Sequence, residues 1–421
     1  MANPGIELYR PSRGAPAYYV DAQNGSDTSD GRSIATAWRS LSKISGVTLN
    51  PGDVLRLARG SVWTGQLVIS SSGSETSPIC IEAYGSGEAP TIEFPDVPEE
   101  AIYSEAIYVS GSHVVILDLR LRNIEFVAVG VAVGTQNVVV GGTEIVNAGI
   151  GISFYGSHHK ALSNHIHDLH MINNTPDVSD DDYGAEGIVI TGEDIEVAWN
   201  LFENCRAPSY DYGVDGGAVE IYGDINGARI HHNWAYATDG FMEMAGNVSD
   251  MVIAYNVWIN GSTRWSPSFL FMHLERLGHV YTYDILIENN TAVSATNPSY
   301  GAFTFWANSS SQRTDCSVVV RNNIFVTASV FLFRTEVLGI GFVHDHNLYG
   351  FIGSGRLGSL TLDETEKSGD PCFVDLANQD VRLGVGSPAI NAGTGAFYAN
   401  DLLGSVVPTG VAPDLEAYEH Q

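Results

Sequence analysis

The sequence predicts an all-β solenoid, a chain wound into stacked coils of short parallel strands, and three observations predict it. The composition is that of strands and turns: 45 glycines in 421 residues, many Val, Ile, Asn and Thr, and few long charged side chains. The stretch from Tyr210 to Gly246, YDYGVDGGAVEIYGDINGARIHHNWAYATDGFMEMAG, holds one pattern twice. Each copy has an Asp-Gly turn, a short strand with Glu in its middle (AVEIY, FMEMA), a Gly, and a second strand closing on Asn. Glu220 and Glu243, Gly223 and Gly246, and Asn233 and Asn256 are each 23 positions apart, the register of successive coils. Finally, asparagines close segments at Asn164, Asn200, Asn233, Asn256, Asn290 and Asn323.

The chain opens with YYVDAQNGSDTSDGRSIATAWRSLSK, residues 18–43: a strand, a Gly/Ser/Asp loop and a short amphipathic stretch around Trp38 and Leu41. An open solenoid end exposes core and unpaired backbone, so this segment is expected to cap the first coil. GDVLRLARGSVWTGQLVIS and SPICIEAYG read as short strands with Gly turns, and AIYVSGSHVVILDLRLRN begins the regular coils. The Asn spacing varies between 23 and 36, so several of about ten coils carry inserted loops. The longest insertion, MINNTPDVSDDDYGAEG, residues 171–187, places Asp180, Asp181 and Asp182 together, either as oxygen ligands for calcium or as a solvated acidic turn. GFVHDHNLYG forms a last irregular coil, with His344 and His346 spaced to face one metal but with no third ligand nearby. No Pro-rich or low-complexity linker divides the chain. The expectation is one domain over 1–421, with a cap in 1–45, coils in 46–365 and a closing segment in 366–421.

The opening YYVDAQNGSDTSDG...AWRSL, the PGD...ARGSVWTG and AYGSGEAPTI segments, and the late SPAINAG...PDLEAYE resemble the proteins of the pectate-lyase-like superfamily, over residues 18 to 419. The resemblance implies a single-stranded right-handed parallel β-helix with N- and C-terminal caps. In that family the recurring asparagines form an internal ladder of side-chain amides at a turn, a structural role. Many members are secreted carbohydrate-active enzymes, but the motifs identify the fold rather than the reaction. The polygalacturonase-type Asn-Thr-Asp and Arg-Ile-Lys motifs are absent.

The formal charge is −29, from 49 acidic and 20 basic residues of which three are Lys (Lys43, Lys160, Lys367). This excludes nucleic acid and anionic membranes as partners and disfavours a strongly anionic polysaccharide unless calcium offsets the charge. Cys80, Cys205, Cys316 and Cys372 show no CxxC spacing and read as buried thiols. No apolar run reaches the length of a membrane span. MANPGIELYR is not a signal peptide, so the chain is either intracellular or, as the family implies, a secreted or periplasmic protein whose export signal is absent from this sequence.

Alternation points Val219, Ile221, Met242 and Met244 inward, and Glu220 and Glu243 outward. On stacked coils the two carboxylates lie about 4.8 Å apart and repel unless a proton, cation or substrate relieves them. The same alternation places Tyr222, Phe241, Phe271, His273, Glu275, Thr304, Trp306 and Arg334 on one outward face, a groove floor for sugar rings. Loop residues Asp182, Tyr183, Tyr210, Asp211, Tyr212, Arg264 and Trp265 form its walls. The competing expectation is that long loops fold over this face and bury it as a second core.

Glycoside hydrolysis requires a proton donor and a second carboxylate; a separation near 5 Å favours retention and about 6.5–9.5 Å inversion. Glu220 and Glu243 are the first candidates, with Asp215 and Asp239, at the turns entering the same strands, as alternative partners or simple turn-formers. His273 either tunes a glutamate or binds substrate. The expected function is a glycoside hydrolase acting on a polysaccharide or oligosaccharide, with no cofactor required and calcium possible. One alternative is a calcium-assisted lyase or epimerase on a uronate polymer, with the glutamates as calcium ligands and His273 or Arg334 as base. Another is a non-catalytic glycan-binding β-helix.

Overall fold

The computed structural model describes residues 5–12, 14–95, 104–178, 181–260, 268–273, 282–294, 303–306, 316–328, 333–334, 341–358 and 361–420. Its backbone contacts gather into two compact units, one up to residue 196 and one from residue 197 onward. Each is a run of β coils.

In the unit 3–196, the strands Ala17–Val20, Val54–Ala58, Ile79–Tyr84, Val114–Leu117, Val138–Gly141 and Lys160–Leu162 pair in parallel, each with the next. A second column is made by Val62–Thr64, Thr91–Phe94, Arg120–Val131, Glu144–Phe154 and His165–His167. Parallel neighbours need a crossover, and here each crossover is one coil. The stretch expected to cap the first coil contains a helix, Leu41–Ser45, started by Ser40, whose hydroxyl accepts the Lys43 N–H. Trp38, Leu41 and Ile44 are buried, and the Trp38 ring stacks on Tyr18 at 4.6 Å.

The acidic insertion of this unit is bounded by Met171–Asn173 and Tyr183–Gly184, which pair antiparallel. Ile172 and Tyr183 pack with Phe126 over a small cluster of Val127, Ile150 and Val189. Val189 is the register partner of the outward Ser153. On this unit, therefore, a loop does bury part of the outward face. Asp181 is tied into its own loop, accepting hydrogen bonds from Asn173 Nδ2 at 3.2 Å and the Thr175 N–H at 3.3 Å. Asp180 lies outside the described residues.

The unit 197–421 has three parallel columns. One runs through Ile225–His231, Val248–Ala254, Thr282–Glu288, Cys316–Arg321 and Phe342–Asp345. The next runs through Leu201–Glu203, Trp234–Tyr236, Val257–Asn260, Thr291–Ser294, Ile324–Thr327 and Leu348–Phe351. The third, which carries the candidate site, runs through Gly217–Tyr222, Gly240–Ala245, Leu270–His273, Phe303–Trp306 and Phe333–Arg334.

Between the first two columns lies the asparagine ladder. Asn233 Oδ1 accepts both the backbone N–H and Nδ2 of Asn200; Asn256, Asn290, Asn323 and Asn347 repeat this, each for the rung before, at 2.9–3.0 Å. The ladder reaches one rung beyond expectation, Asn347, and ends on Glu366, whose Oε1 accepts Asn347 Nδ2 at 2.9 Å. His344 Nδ1 meets the other oxygen of Glu366 at 2.9 Å, so this histidine belongs to the end of the ladder. The residue before each rung is left-handed: Trp199, His232, Tyr255, Asn289, Asn322 and His346 have φ between 49° and 57°. Each non-glycine residue there costs roughly 1–2 kcal/mol, which the buried amide bonds of the rung offset.

Candidate active site

Glu220 and Glu243 are register partners on adjacent coils, as are Val219 with Met242 and Ile221 with Met244. The four apolar residues are buried and the two glutamates partly exposed, so both side chains leave the outward face, from strands about 4.8 Å apart. The column continues from Glu243 through Phe271, also partly exposed, to Thr304 and Arg334.

A hairpin leads into the first of these strands. Ala207–Ser209 pairs antiparallel with Gly213–Asp215, and Ala207 stands opposite Asp215. At its tip the Tyr212 N–H is fixed by Ser209 Oγ at 2.7 Å, and the side chains of Tyr210 and Tyr212 are exposed. Asp215 Oδ1 accepts the Gly216 N–H at 2.9 Å. Gly216, with φ of 118°, then turns the chain into the Gly217–Tyr222 strand.

The next coil enters its strand through Ala237, which is left-handed, Thr238 and Asp239. Thr238 is fully buried, and its hydroxyl accepts the indole N–H of the equally buried Trp258 at 3.0 Å, which fixes the turn from the interior. Asp239 as a residue is partly exposed, yet its Oδ1 is sealed from solvent and has no hydrogen-bond partner among the described residues. Burial pushes this carboxyl well above the usual carboxylate range. The negative charges of Asp215 and Glu243 push the same way, and Arg206 pulls against them. Arg206, adjacent to the hairpin, is oriented by Nε donating to Asn204 Oδ1 at 3.2 Å. The unit thus gathers one carboxyl that resists ionisation and, around it, carboxylates in wetter or hydrogen-bonded settings. Among the described residues of this unit, no three carboxylate, His or Cys side chains converge closely enough to enclose a metal ion.

The other sequence-predicted residues fall into four groups. Tyr222 lies beside Ala245 in register and is exposed, as expected of a groove residue. Phe241 does not belong to the surface: it is fully buried, stacked on Phe269 at 5.0 Å and 4°, and Phe269 in turn contacts Trp258 and Phe325. The expectation for Phe241 is corrected because alternation begins one residue later, at Met242. Ala218, opposite it on the preceding coil, is buried as well. The backbone register sets His273 beside Trp306 and Thr304 beside Arg334. The side chains of His273, Trp306 and Arg334, and the whole of Glu275, Arg264 and Trp265, lie outside the described residues. Asp182 is in the unit 3–196, partly exposed, just before Tyr183–Gly184.

No family model matches the chain. A segment of 91 residues is 32% identical to lacto-N-biosidase of Bifidobacterium longum subsp. longum, and it amounts to 21% of this chain and 6% of that protein. The chain therefore spans a small part of the curated relative it matches. Among solved structures, pectate lyase Pel9A aligns over 98% of both chains with a TM-score of 0.63 at 17% identity. XylC in complex with xylose aligns over 96% of this chain and 99% of its own, with a TM-score of 0.53 at 10% identity. A rhamnogalacturonan lyase aligns over 84% and 87%, with a TM-score of 0.51 at 14% identity. At such identities the shared property is the fold, a right-handed parallel β-helix. Among the described residues no helix is long and apolar enough to cross a membrane.

Arg206, whose charge acts on Asp239, is a residue of the candidate site that sequence reading missed. It belongs to no coil repeat, and its place depends on the hairpin that returns Asp215 to the strand entrance. The hairpin itself had a signal, the Tyr-Asp-Tyr-Gly turn between PS and VD.

Proposed function

We propose that this protein is a carbohydrate-active enzyme, and specifically a glycoside hydrolase acting on a neutral or weakly charged polysaccharide or oligosaccharide. The observation that carries the reading is Asp239: a carboxyl with one oxygen sealed and unpartnered among the described residues, its proton affinity raised by burial and by the hydrogen-bonded Asp215. Two carboxyl groups whose surroundings drive their proton affinities apart are what acid-assisted glycosidic cleavage requires. Asp239 gives its hydrogen to the glycosidic oxygen as the bond to the leaving sugar breaks. The Asp215 carboxylate then attacks the anomeric carbon or takes a proton from the attacking water. The Glu220–Glu243 pair and exposed Tyr222 line the adjacent rungs, where they hold sugar hydroxyls and ring faces. The similarity of one segment to lacto-N-biosidase, and the fold shared with a pectate lyase and a rhamnogalacturonan lyase, support carbohydrate chemistry without choosing the bond-breaking step.

The test is product analysis over a glycan panel, with and without chelator, using wild type, Asp239→Asn, Asp215→Asn, Glu220→Gln and Glu243→Gln. Removing a general acid costs about 10²–10⁴-fold in rate, so both aspartate variants should lose that much turnover, and the glutamate variants chiefly affinity. Wild-type activity should fall on the alkaline side as Asp239 ionises, and that limb should vanish in Asp239→Asn. Full activity in Asp239→Asn would sink the assignment. Unsaturated, ultraviolet-absorbing products would replace the hydrolase with the calcium-assisted lyase.

A further inference from the structure

Residues 391–420 lie back along the coils of their own unit, fastened to the left-handed positions beside the ladder. Asn322 Nδ2 donates to the carbonyls of Thr394 and Gly395 at 2.6 and 3.0 Å, and Asn322 Oδ1 accepts the Thr394 N–H at 3.0 Å. His232 Nε2 donates to the Asn400 carbonyl at 2.9 Å. Asn289 Nδ2 reaches the carbonyls of Asp414 and Glu416 at 2.9 and 3.3 Å.

Four acids of this segment, Asp401, Asp414, Glu416 and Glu419, are buried to 1%, 3%, 1% and 6% exposure. Three of them are fully engaged as acceptors. Asp401 takes the N–H groups of Leu403, Ser405 and Glu419; Asp414 takes those of Asn391 and His420; Glu419 takes those of Thr409 and Asp414. Glu416 is unlike them: both its oxygens are sealed from solvent, and neither makes a well-formed hydrogen bond among the described residues, the Leu383 amide being the one backbone group that favours its ionised form. An ionised carboxylate there would be a bare charge in the interior, facing three acidic neighbours.

From the Asp380–Leu383 strand it meets the field of Arg382, but that guanidinium is already committed to Asp380, with Nε donating at 2.8 Å. The phenol of Tyr418 is the other titratable group in its field.

We propose that the C-terminal segment is a proton-operated latch: it docks on the coils with Glu416 carrying a hydrogen and releases when that hydrogen is lost. Burial first, then Asp414, Asp401 and Glu419, raise the Glu416 carboxyl well above its ordinary value, with the Leu383 amide opposing. The docked form therefore binds a proton that the released form gives up near the ordinary value of 4.5. Docking is fully favoured below that pH and weakens as pH rises toward the raised value, the opening constant growing about tenfold per pH unit on the way.

Hydrogen exchange of the Ala417 and Glu419 amides, which donate to Thr291 Oγ1 and Asp401 Oδ2, reads this opening directly. The measurement runs from pH 5 to 9, corrected for the intrinsic pH dependence of exchange, on the full chain and on Glu416→Gln. The wild-type opening constant should climb with pH over this range and that of Glu416→Gln should stay flat. Equal slopes in the two proteins overturn the latch. Should Glu416→Gln fail to fold, the wild type decides alone, because a pH-independent opening constant overturns it as well.

Discussion

Acidification should loosen the C-terminal segment at His232, and the size of the effect follows from that residue's surroundings. The His232 ring is buried between Trp199 and Tyr255, at centroid distances of 5.1 and 5.2 Å. Its Nε2 faces the Asn400 carbonyl oxygen at 2.9 Å, so that nitrogen carries the hydrogen and Nδ1 is left to accept from His231 Nδ1, 2.7 Å away. A second proton on His232 would set two N–H groups against each other. Burial, and then the neighbouring His231, lower its pKa from 6.5 to about 3, against the opposing bond to Asn400.

The unfolded chain takes up a proton near pH 6.5 that the folded chain refuses until about pH 3. Stability is therefore complete above 6.5 and drains away as pH falls through that window. The gap corresponds to roughly 5 kcal/mol at its acid end. His232→Phe keeps a ring in the stack and removes both the proton site and the hydrogen bond to Asn400, at a cost of about 1 kcal/mol at neutral pH. Urea unfolding at several pH values should show wild type losing about 1.4 kcal/mol per pH unit more than the variant between pH 6 and 4. Parallel pH dependence in the two proteins would refute the reasoning.

Two further substitutions test the architecture. Asn256→Ala removes a side chain that accepts from Asn233 N and Nδ2 and donates to the Ile230 carbonyl and Asn290 Oδ1. Four buried bonds at about 1 kcal/mol each predict a loss near 4 kcal/mol, read from the urea midpoint; a loss under about 1 kcal/mol would mean that the ladder is not structural. Phe241→Ala should cost about 3–5 kcal/mol as a core truncation and leave KM unchanged. Weakened substrate binding with stability intact would return Phe241 to the groove.

The coil register was legible because stacking imposes one spacing on several residue types at once, and Glu220 indeed faces Glu243 across neighbouring rungs. The ladder was legible for the same reason. Its last rung, Asn347, is followed by Glu366 rather than another Asn, so the repeating signal faded where the structure still continues. What stayed hidden lies where the repeat breaks. Two-residue alternation says which way a side chain points once a strand has begun, but not where it begins, and Phe241 fell on the wrong side of that boundary. Burial of acids is equally invisible in composition: nothing in DLLGSVVPTGVAPDLEAYE separates Glu416, sealed and without a well-formed hydrogen bond among the described residues, from Glu419, which has two amides.

The candidate chemistry depends on such a break. The two strand entrances would be equivalent if both coils read Asp-Gly-Gly; the first does and the second has Asp-Gly-Phe. With Gly217 aligned to Gly240, Asp239 falls opposite Gly216 while Asp215 lies one residue further out. That offset lets Asp215 bond the Gly216 amide and leaves Asp239 with an oxygen sealed and unpartnered among the described residues. A perfectly regular solenoid would give both acids one environment and hence one proton affinity. Deleting one glycine of the Gly216–Gly217 pair should therefore abolish the division of roles even though every carboxylate remains in the chain.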